Sequence, residues 1–335
     1  MNANKANISE FGKRGRLGVF ALSVFLCVHL WFPPSASAQE VVVNLSAGRV
    51  VVCVARDGIV IATVHQRIEA ESRPPVLAEL TPRRVAVLLG ATEWVSPAGE
   101  PPVRMETELP QVARAAGGGG PTLGKAQEND LESVGLAMLE PLKEAAQRLV
   151  QKVEVGREEP LLEVVLVGFV ADYGPEMWTL RYRIAQDPLR SDYWQTRVLR
   201  PLYEQLYPPE KGQPRTLLET RYPRAASDVE SAMAEPTLLA LLQRNDPRLA
   251  RVRNANKLTS EAAVKILEGE SHKAPLEGVT ALLRGALEAT LGEGETLALA
   301  VLDERSGLTW IVPQRIPAQR AEGEKKERPA GAPTL

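Results

Sequence analysis

Residues 48–64, GRVVVCVARDGIVIATV, form the stretch that decides the fold. Two runs of β-branched residues flank Arg56-Asp57-Gly58, and the Asp-Gly pair supplies the positive backbone φ that a tight hairpin needs. Neither run alternates between apolar and polar residues, which is typical of strands that are buried on both faces. The sequence therefore predicts a β-hairpin inside a layered arrangement of sheets.

Working outward from this hairpin, short apolar runs bounded by turn residues predict further strands. These runs lie at 76–80, 85–89, 161–171, 178–184, 297–302 and 308–312. Proline- and glycine-rich segments predict loop insertions at about 96–130 and 187–235, the second with a short helix around 198–206.

Apolar residues at three- and four-residue steps predict helices in the remaining segments. A long helix over 131–153, bent at Pro141, is followed by helices around 238–242, 258–267 and 276–291. The order strands, helix, strands, helices, strands favours an α+β fold in which two antiparallel sheets pack together beneath outer helices.

The amino terminus has the three parts of a secretory signal peptide. Basic residues precede an apolar run at 17–32, Pro33-Pro34 breaks it, and Ala36-Ser37-Ala38 fits the cleavage rule. The run is shorter than the roughly 20 residues that span a bilayer. We therefore expect cleavage after Ala38, export to the periplasm or the extracellular space, and no membrane attachment afterwards. The apolar-poor segment 318–335 is expected to be a disordered tail.

Charge and cysteine content exclude several function classes. The chain has a net charge of −2, and removing the basic residues 1–38 makes it slightly more acidic, so no nucleic-acid partner is expected. Only Cys53 follows the cleavage site, so no internal disulfide is expected. The two histidines of the mature chain, His65 and His272, have no zinc-ligand spacing, and we expect neither a metal nor a cofactor.

Four segments, in this order, resemble the proteasome-type N-terminal nucleophile hydrolases. They are the opening hairpin, RVAVLLGA at 84–91, EVVLVGFVADYGPEMWTLRYRI at 163–184, and LTSEAAVKIL at 258–267 with LALAVLDERSGLTWI at 297–311. The resemblance covers most of residues 41–312. It implies a four-layer αββα sandwich over residues 39–317, of the kind found in subunits that stack into rings.

The catalytic residues of that family do not carry over. Its active members begin the opening strand with Thr, Ser or Cys, whose free α-amino group acts as the base. Here that position falls at Gly48 or Arg49, the family's aspartate falls at Val64 or His65, and its lysine falls within 75–81, which contains no lysine. The resemblance therefore implies a non-catalytic exported protein that acts by self-assembly or protein binding.

Two residues keep an enzymatic alternative open. Self-cleavage before Ser46 would expose a serine nucleophile and make the protein a threonine/serine-type peptidase or amidohydrolase, whereas an uncleaved Ser46 is an ordinary strand-edge serine. Cys53 is a candidate thiol nucleophile, although a cysteine between Val52 and Val54 is expected to be buried and inert.

Other motifs favour structural roles. GGPTLGK at 119–125 matches part of a phosphate-binding loop, but Pro121 lacks an amide donor and Ala126 lacks a hydroxyl for magnesium, so a flexible glycine loop is favoured. The carboxylate pairs Glu158-Glu159 and Glu268/Glu270 are typical of solvated faces. One set of tyrosine, tryptophan and arginine residues fits two arrangements: a protein interface, or a core of aromatic rings whose neighbouring arginine side chains extend to solvent. This set comprises Tyr182, Tyr193, Trp194, Tyr203, Tyr207, Arg181, Arg183, Arg190, Arg197 and Arg200.

Overall fold

The computed structural model describes residues 43–66, 72–94, 101–115, 134–149, 158–170, 174–186, 196–209, 212, 214–222 and 236–314. The predicted signal peptide at 1–38, the glycine loop at 119–125 and the predicted tail at 318–335 lie outside these residues. Within the described part of the chain, no helix is both long and apolar enough to cross a membrane.

The larger of two sheets has nine strands among the described residues. They are β1 (Val43–Ser46), β4 (Ser72–Arg73), β5 (Val76–Thr81), β6 (Arg84–Trp94), β7 (Val103–Arg104), β8 (Glu158–Val170), β9 (Gly174–Gln186), β10 (Thr196–Val198) and β11 (Leu202–Tyr207). The main order is β10-β9-β8-β6-β1-β4, with β11 on β9 and with β5 and β7 on β6. All pairs are antiparallel except the short parallel pair β1–β4.

The smaller sheet contains the hairpin. Its strands are β2 (Gly48–Val54), β3 (Gly58–Gln66), β12 (Leu217–Tyr222), β13 (Glu295–Asp303) and β14 (Gly307–Val312), in the order β12-β2-β3-β13-β14. All four pairs are antiparallel. The hairpin prediction is confirmed, since Val54 pairs with Ile59 across the turn and both strands are buried on both faces. The Asp57 carboxylate accepts a hydrogen bond from the backbone N–H of Leu276 (2.8 Å), which ties the turn to a helix start.

Six α-helices cover the sheets in the described segments. They are α1 (Met105–Ala115), α2 (Leu139–Leu149), α3 (Leu238–Gln243), α4 (Ala250–Ala255), α5 (Ser260–Lys265) and α6 (Leu276–Thr290). Thr237 and Thr259 cap α3 and α5, because each side chain accepts a hydrogen bond from a backbone N–H of the first turn.

Three clusters of buried apolar residues show how the elements pack. The central cluster is drawn mainly from strands of both sheets, including Val50, Ile61, Val87 and Val165. A second cluster joins the other face of the smaller sheet to α3, α5 and α6, and the third joins the other face of the larger sheet to α1 and α2. The predicted α+β class with two antiparallel sheets and helices is thus confirmed.

Several sequence predictions were wrong in detail. The segment 96–130 was expected to be a loop, but α1 lies within it because Met105, Leu109 and Ala113 form a buried stripe at four-residue spacing. The prediction that Pro141 bends the helix over 131–153 agrees with the structure, because the helical residues 134–137 and α2 are separated by a turn at Met138, and Pro141 lies in the first turn of α2.

The segment 187–235 contains strands β10, β11 and β12 in its described parts, and the short helix expected around 198–206 is wrong. There β11 pairs antiparallel with β9, and such pairing outweighs local helix propensity. Strand β6 also continues past its expected end at Gly90 to Trp94, because β1 and β7 pair with its final residues.

Candidate functional site

The chain crosses from one sheet to the other at Ala47. Ser46 ends β1 in the larger sheet and Gly48 begins β2 in the smaller one. The Ala47 N–H donates to the carbonyl of Arg73 (2.9 Å), and the Ala47 carbonyl lies 3.0 Å from Nδ1 of His65. The peptide link at this crossing is therefore held on both sides.

Gly48 is required at the crossing by its conformation and by its surroundings. Its φ is +143°, which side chains of L residues rarely adopt. A Cβ on Gly48 would overlap the carbonyl oxygen of Val64 and would lie 3.2 Å from Cδ of Pro75. Gly48, His65 and Pro75 thus lie around this crossing, and each is among the residues at which the resemblance would place a catalytic group.

The alternative residues at these positions point away from the crossing. Arg49 is buried and makes an ion pair with Glu219 (3.6 Å). The second oxygen of Glu219 accepts the backbone N–H of Leu238 at the start of α3 (2.7 Å). Val64 belongs to the apolar cluster beneath the same helices. Arg49 and Val64 therefore serve the packing of helices on the smaller sheet.

A cleft of about 230 Å³ opens beside His65. It is lined by Thr63, His65, Pro74, Thr296, Leu297, Ala298, Val312, Pro313 and Gln314. The Gln314 amide donates to the carbonyl of Pro75, and the Thr296 hydroxyl donates to the carbonyl of His65 (3.3 Å). Among the described residues, the lining side chains include hydroxyl, imidazole and amide groups but no carboxylate, ammonium or thiol. They can hydrogen-bond a neutral polar group, but they do not form a paired acid and base.

Ser46 is fully buried in β1. Its hydroxyl lies 2.6 Å from that of Thr92, and its backbone pairs with Gly90 of β6 and Arg73 of β4. Self-cleavage would require the Ser46 hydroxyl to lose its proton to a base and to attack the carbonyl of Leu45. The hydrogen-bond partner that the structure gives this hydroxyl is a second hydroxyl, which is a poor base at neutral pH.

Cys53 faces the helices that cover the smaller sheet and is fully buried. Burial raises the pKa of its thiol to about 12, although a hydrogen bond with Ser271 acts in the opposite direction. Ser271 itself donates to the carbonyl of Val54 (2.6 Å). The thiol therefore stays protonated at neutral pH, and a protonated thiol is a poor nucleophile.

A half-buried carboxylate on β8, Glu163, was not singled out from the sequence. It accepts a hydrogen bond from the Thr220 hydroxyl (3.0 Å) and lies 3.5 Å from Arg181. Burial raises the pKa of Glu163, and the Arg181 charge partly opposes this rise. The only signal in the sequence is one charged residue between Leu162 and Val164 in an otherwise apolar run.

Tyr222, at the end of β12, packs close to this carboxylate. Its hydroxyl donates to the carbonyl of Pro160 (2.7 Å), and burial raises its pKa, as do the negative charges of Glu159 and Glu163. A Cβ on Gly90 would lie 2.7 Å from Cε2 of Tyr222, so Gly90 gives the ring its space. The aromatic side chain closes the space between the sheets on this side of Gly48.

A second carboxylate, the buried Glu93, holds β1 in the larger sheet. It accepts a hydrogen bond from the Asn44 amide (3.0 Å) and pairs with Arg73 (2.7 Å) and Arg104 (2.9 Å). Three segments, β1, β4 and β7, are thereby tied to the end of β6. This cluster stabilises the residues that precede the crossing.

The structure describes several of the remaining candidates. The Tyr182 hydroxyl is buried and donates to the carbonyl of Gly135 (2.9 Å), whereas Tyr203 is exposed on β11. Tyr193, Trp194 and Arg190 lie outside the described residues. Glu158 pairs with Arg183, and Glu270 pairs with Lys265 and Lys273, so these carboxylates belong to ion pairs.

Among the residues that the structure describes, no group of three or more His, Cys, Asp or Glu residues is arranged to hold a metal ion. No protein-family model matches the chain, and no curated protein matches it.

Proposed function

We propose that this is an exported, non-catalytic protein with the four-layer αββα architecture of proteasome-type N-terminal nucleophile hydrolases, and that it acts by self-assembly or protein binding. The observation that carries the proposal is the junction at Gly48. Gly48, His65 and Pro75 lie around this junction, and each is among the residues at which the resemblance would place a nucleophile, an aspartate or a lysine.

The layered packing supports the architectural part of the proposal. The hairpin β2–β3 lies between the other sheet and a group of helices, and the second group of helices packs on the far side of the larger sheet. This agrees with the order of segments on which the resemblance rests.

The continuity of the chain supports the non-catalytic part. An N-terminal nucleophile needs a free α-amino group beside its side chain. Here Gly48 has no side chain that could act as a nucleophile, and the preceding Ala47 is hydrogen-bonded to Arg73 and lies 3.0 Å from His65. The described lining of the adjacent cleft offers hydroxyl, imidazole and amide groups, which suit the binding of a polar group.

The test is the intact mass and N-terminal sequence of the exported protein, compared with a Ser46→Ala variant. We expect both proteins to begin at Gln39, because signal peptidase alone acts on them. A wild-type chain that begins at Ser46, together with a Ser46→Ala chain that does not, would refute the proposal. That result would establish self-processing and favour the peptidase or amidohydrolase alternative.

A further inference from the structure

Strand β14 forms an edge of the smaller sheet. It pairs with β13 on one side, and no described strand pairs with its other side. Two of the five large apolar side chains that are exposed among the described residues are neighbours on this strand. They are Trp310, which is 38% exposed, and Ile311, which is 42% exposed.

This edge lacks most of the features that discourage association. Natural edge strands are commonly protected by charges, prolines or bulges. The sequence of β14, GLTWIV, contains no charge and no proline. It has one bulge, at Ile311, because Trp310 pairs with Ala300 while Val312 pairs with Leu299. The register is regular over the four residues 307–310.

The edge strand of the larger sheet differs in this respect. Strand β11 contains Glu204 and directly follows Pro201. Pro313 likewise directly follows β14, so the charge of Glu204 beside the exposed Leu202 and Tyr203 is what distinguishes the two strands. Of these two edge strands, β14 is the one without a charged side chain.

We propose that two copies of this chain associate through β14, antiparallel and edge to edge about a two-fold axis, so that their smaller sheets form one continuous sheet. This inference rests on the self-assembly part of the proposed function. It specifies β14 as the surface through which the copies assemble, which the proposed function does not specify.

Self-complementarity identifies the occupant as a second copy. A two-fold axis places the same surface on both partners, and a charged strand would then bring like charges together. Residues 307–313 are uncharged, so no such repulsion arises, and the exposed Trp310 and Ile311 meet the same apolar surface on the partner. Alternate residues of each strand would direct their N–H and C=O groups across the axis.

The turn before β14 keeps this edge in a fixed conformation. The Asp303 carboxylate accepts hydrogen bonds from the backbone N–H groups of Arg305 (2.8 Å) and Ser306 (2.9 Å). A strand that is ordered before association loses less conformational entropy when it pairs. An exposed tryptophan on such an edge is also the type of residue that dominates binding energy at interfaces.

The test compares the full exported chain with Trp310→Lys and with the matched control Leu202→Lys. Both substitutions add a lysine at an exposed apolar position on an edge strand, so neither is expected to unfold the protein. Size-exclusion chromatography with light scattering should give twice the monomer mass for the wild type and for Leu202→Lys, and the monomer mass for Trp310→Lys. Deuterium exchange within residues 307–312 should slow as the wild-type concentration rises, but not in Trp310→Lys.

A wild type that is monomeric at every concentration would overturn the inference, and so would a Trp310→Lys variant that keeps the double mass. Loss of the dimer in Leu202→Lys alone would assign assembly to the larger sheet and also overturn it. The same samples are treated with an electrophilic probe for serine and threonine nucleophiles. Covalent labelling would refute the proposed function, whereas an unlabelled monomer would refute only the β14 interface.

Discussion

Replacing Gly48 by alanine tests the geometry of the crossing between the sheets. The φ of +143° disfavours any L side chain, which costs about 1–3 kcal/mol. The new Cβ would also overlap the Val64 carbonyl and press on Pro75, and overpacking of this kind costs about 1–3 kcal/mol. We therefore expect Gly48→Ala to lower the free energy of unfolding by about 2–6 kcal/mol.

The assay is urea unfolding with linear extrapolation, and Gly294→Ala is the control. Gly294 also has a positive φ, +77°, but nothing lies within 4 Å of its Cβ position. The control variant therefore loses stability only through its backbone conformation, without overpacking. Gly48→Ala should consequently be less stable than Gly294→Ala by about 1–3 kcal/mol. Equal losses in the two variants would refute the close packing of Gly48 against Val64 and Pro75.

The same reasoning bears on the missing nucleophile. Threonine is one of the residues that the resemblance would require at position 48, and its side chain is larger than that of alanine. Gly48→Thr should be at least as unstable as Gly48→Ala and should have no amidase activity. A stable, active Gly48→Thr protein would show that the site is held ready for catalysis, contrary to the non-catalytic proposal.

Two further predictions concern buried titratable groups. Because burial raises the pKa of the Cys53 thiol to about 12, a disulfide reagent at pH 8 should modify Cys53 only upon unfolding. The exposed thiol of a Leu202→Cys variant should react at once, and prompt labelling of native Cys53 would contradict the packing. Burial also raises the pKa of Glu163 above 4.5, so the native state binds the Glu163 proton more tightly than the unfolded state does. The protonated carboxyl therefore stabilises the native state at low pH, and this stabilisation is lost as the pH rises through the folded-state pKa. Urea unfolding at several pH values should show this decrease in the wild type but not in Glu163→Gln, and equal slopes in the two proteins would contradict it.

The parts of the fold that the sequence predicted well are those in which local signals agree. The hairpin β2–β3 combines β-branched strands with Asp-Gly, and β13–β14 has a similar arrangement around residues 303–307. Helix α1 was missed because Pro110 suggested a loop, although a buried apolar stripe runs along the helix. Strands β10 and β11 could not be inferred locally, because pairing with β9 determines their conformation.

The catalytic positions counted from the Asp-Gly turn stay a prediction, because they rest on the resemblance. The structure shows that Gly48, His65 and Pro75 lie around the crossing at Ala47. The carboxylates Glu163 and Glu93 were missed, because whether a charged residue is buried depends on partners that are distant in sequence. Thr220 is 57 residues from Glu163, and Asn44 is 49 residues from Glu93. A single charged residue within a run of apolar, strand-forming residues is the one local sign in the sequence that a carboxylate has such a distant hydrogen-bond partner.

The residues before Gly48 bear on the choice between the proposed binding function and the hydrolase alternative. In an N-terminal nucleophile enzyme, the segment before the nucleophile is removed and its loss exposes the amine. Here that segment is strand β1, which pairs with β6 along its whole length and is bonded to Glu93 through Asn44. Cleavage before Ser46 would remove the Asn44 amide that donates to the buried Glu93, and the loss of a hydrogen bond to a buried polar group is costly. A segment that supplies a strand to the sheet is better explained as a permanent part of the fold, and this favours a protein that binds over one that cleaves itself.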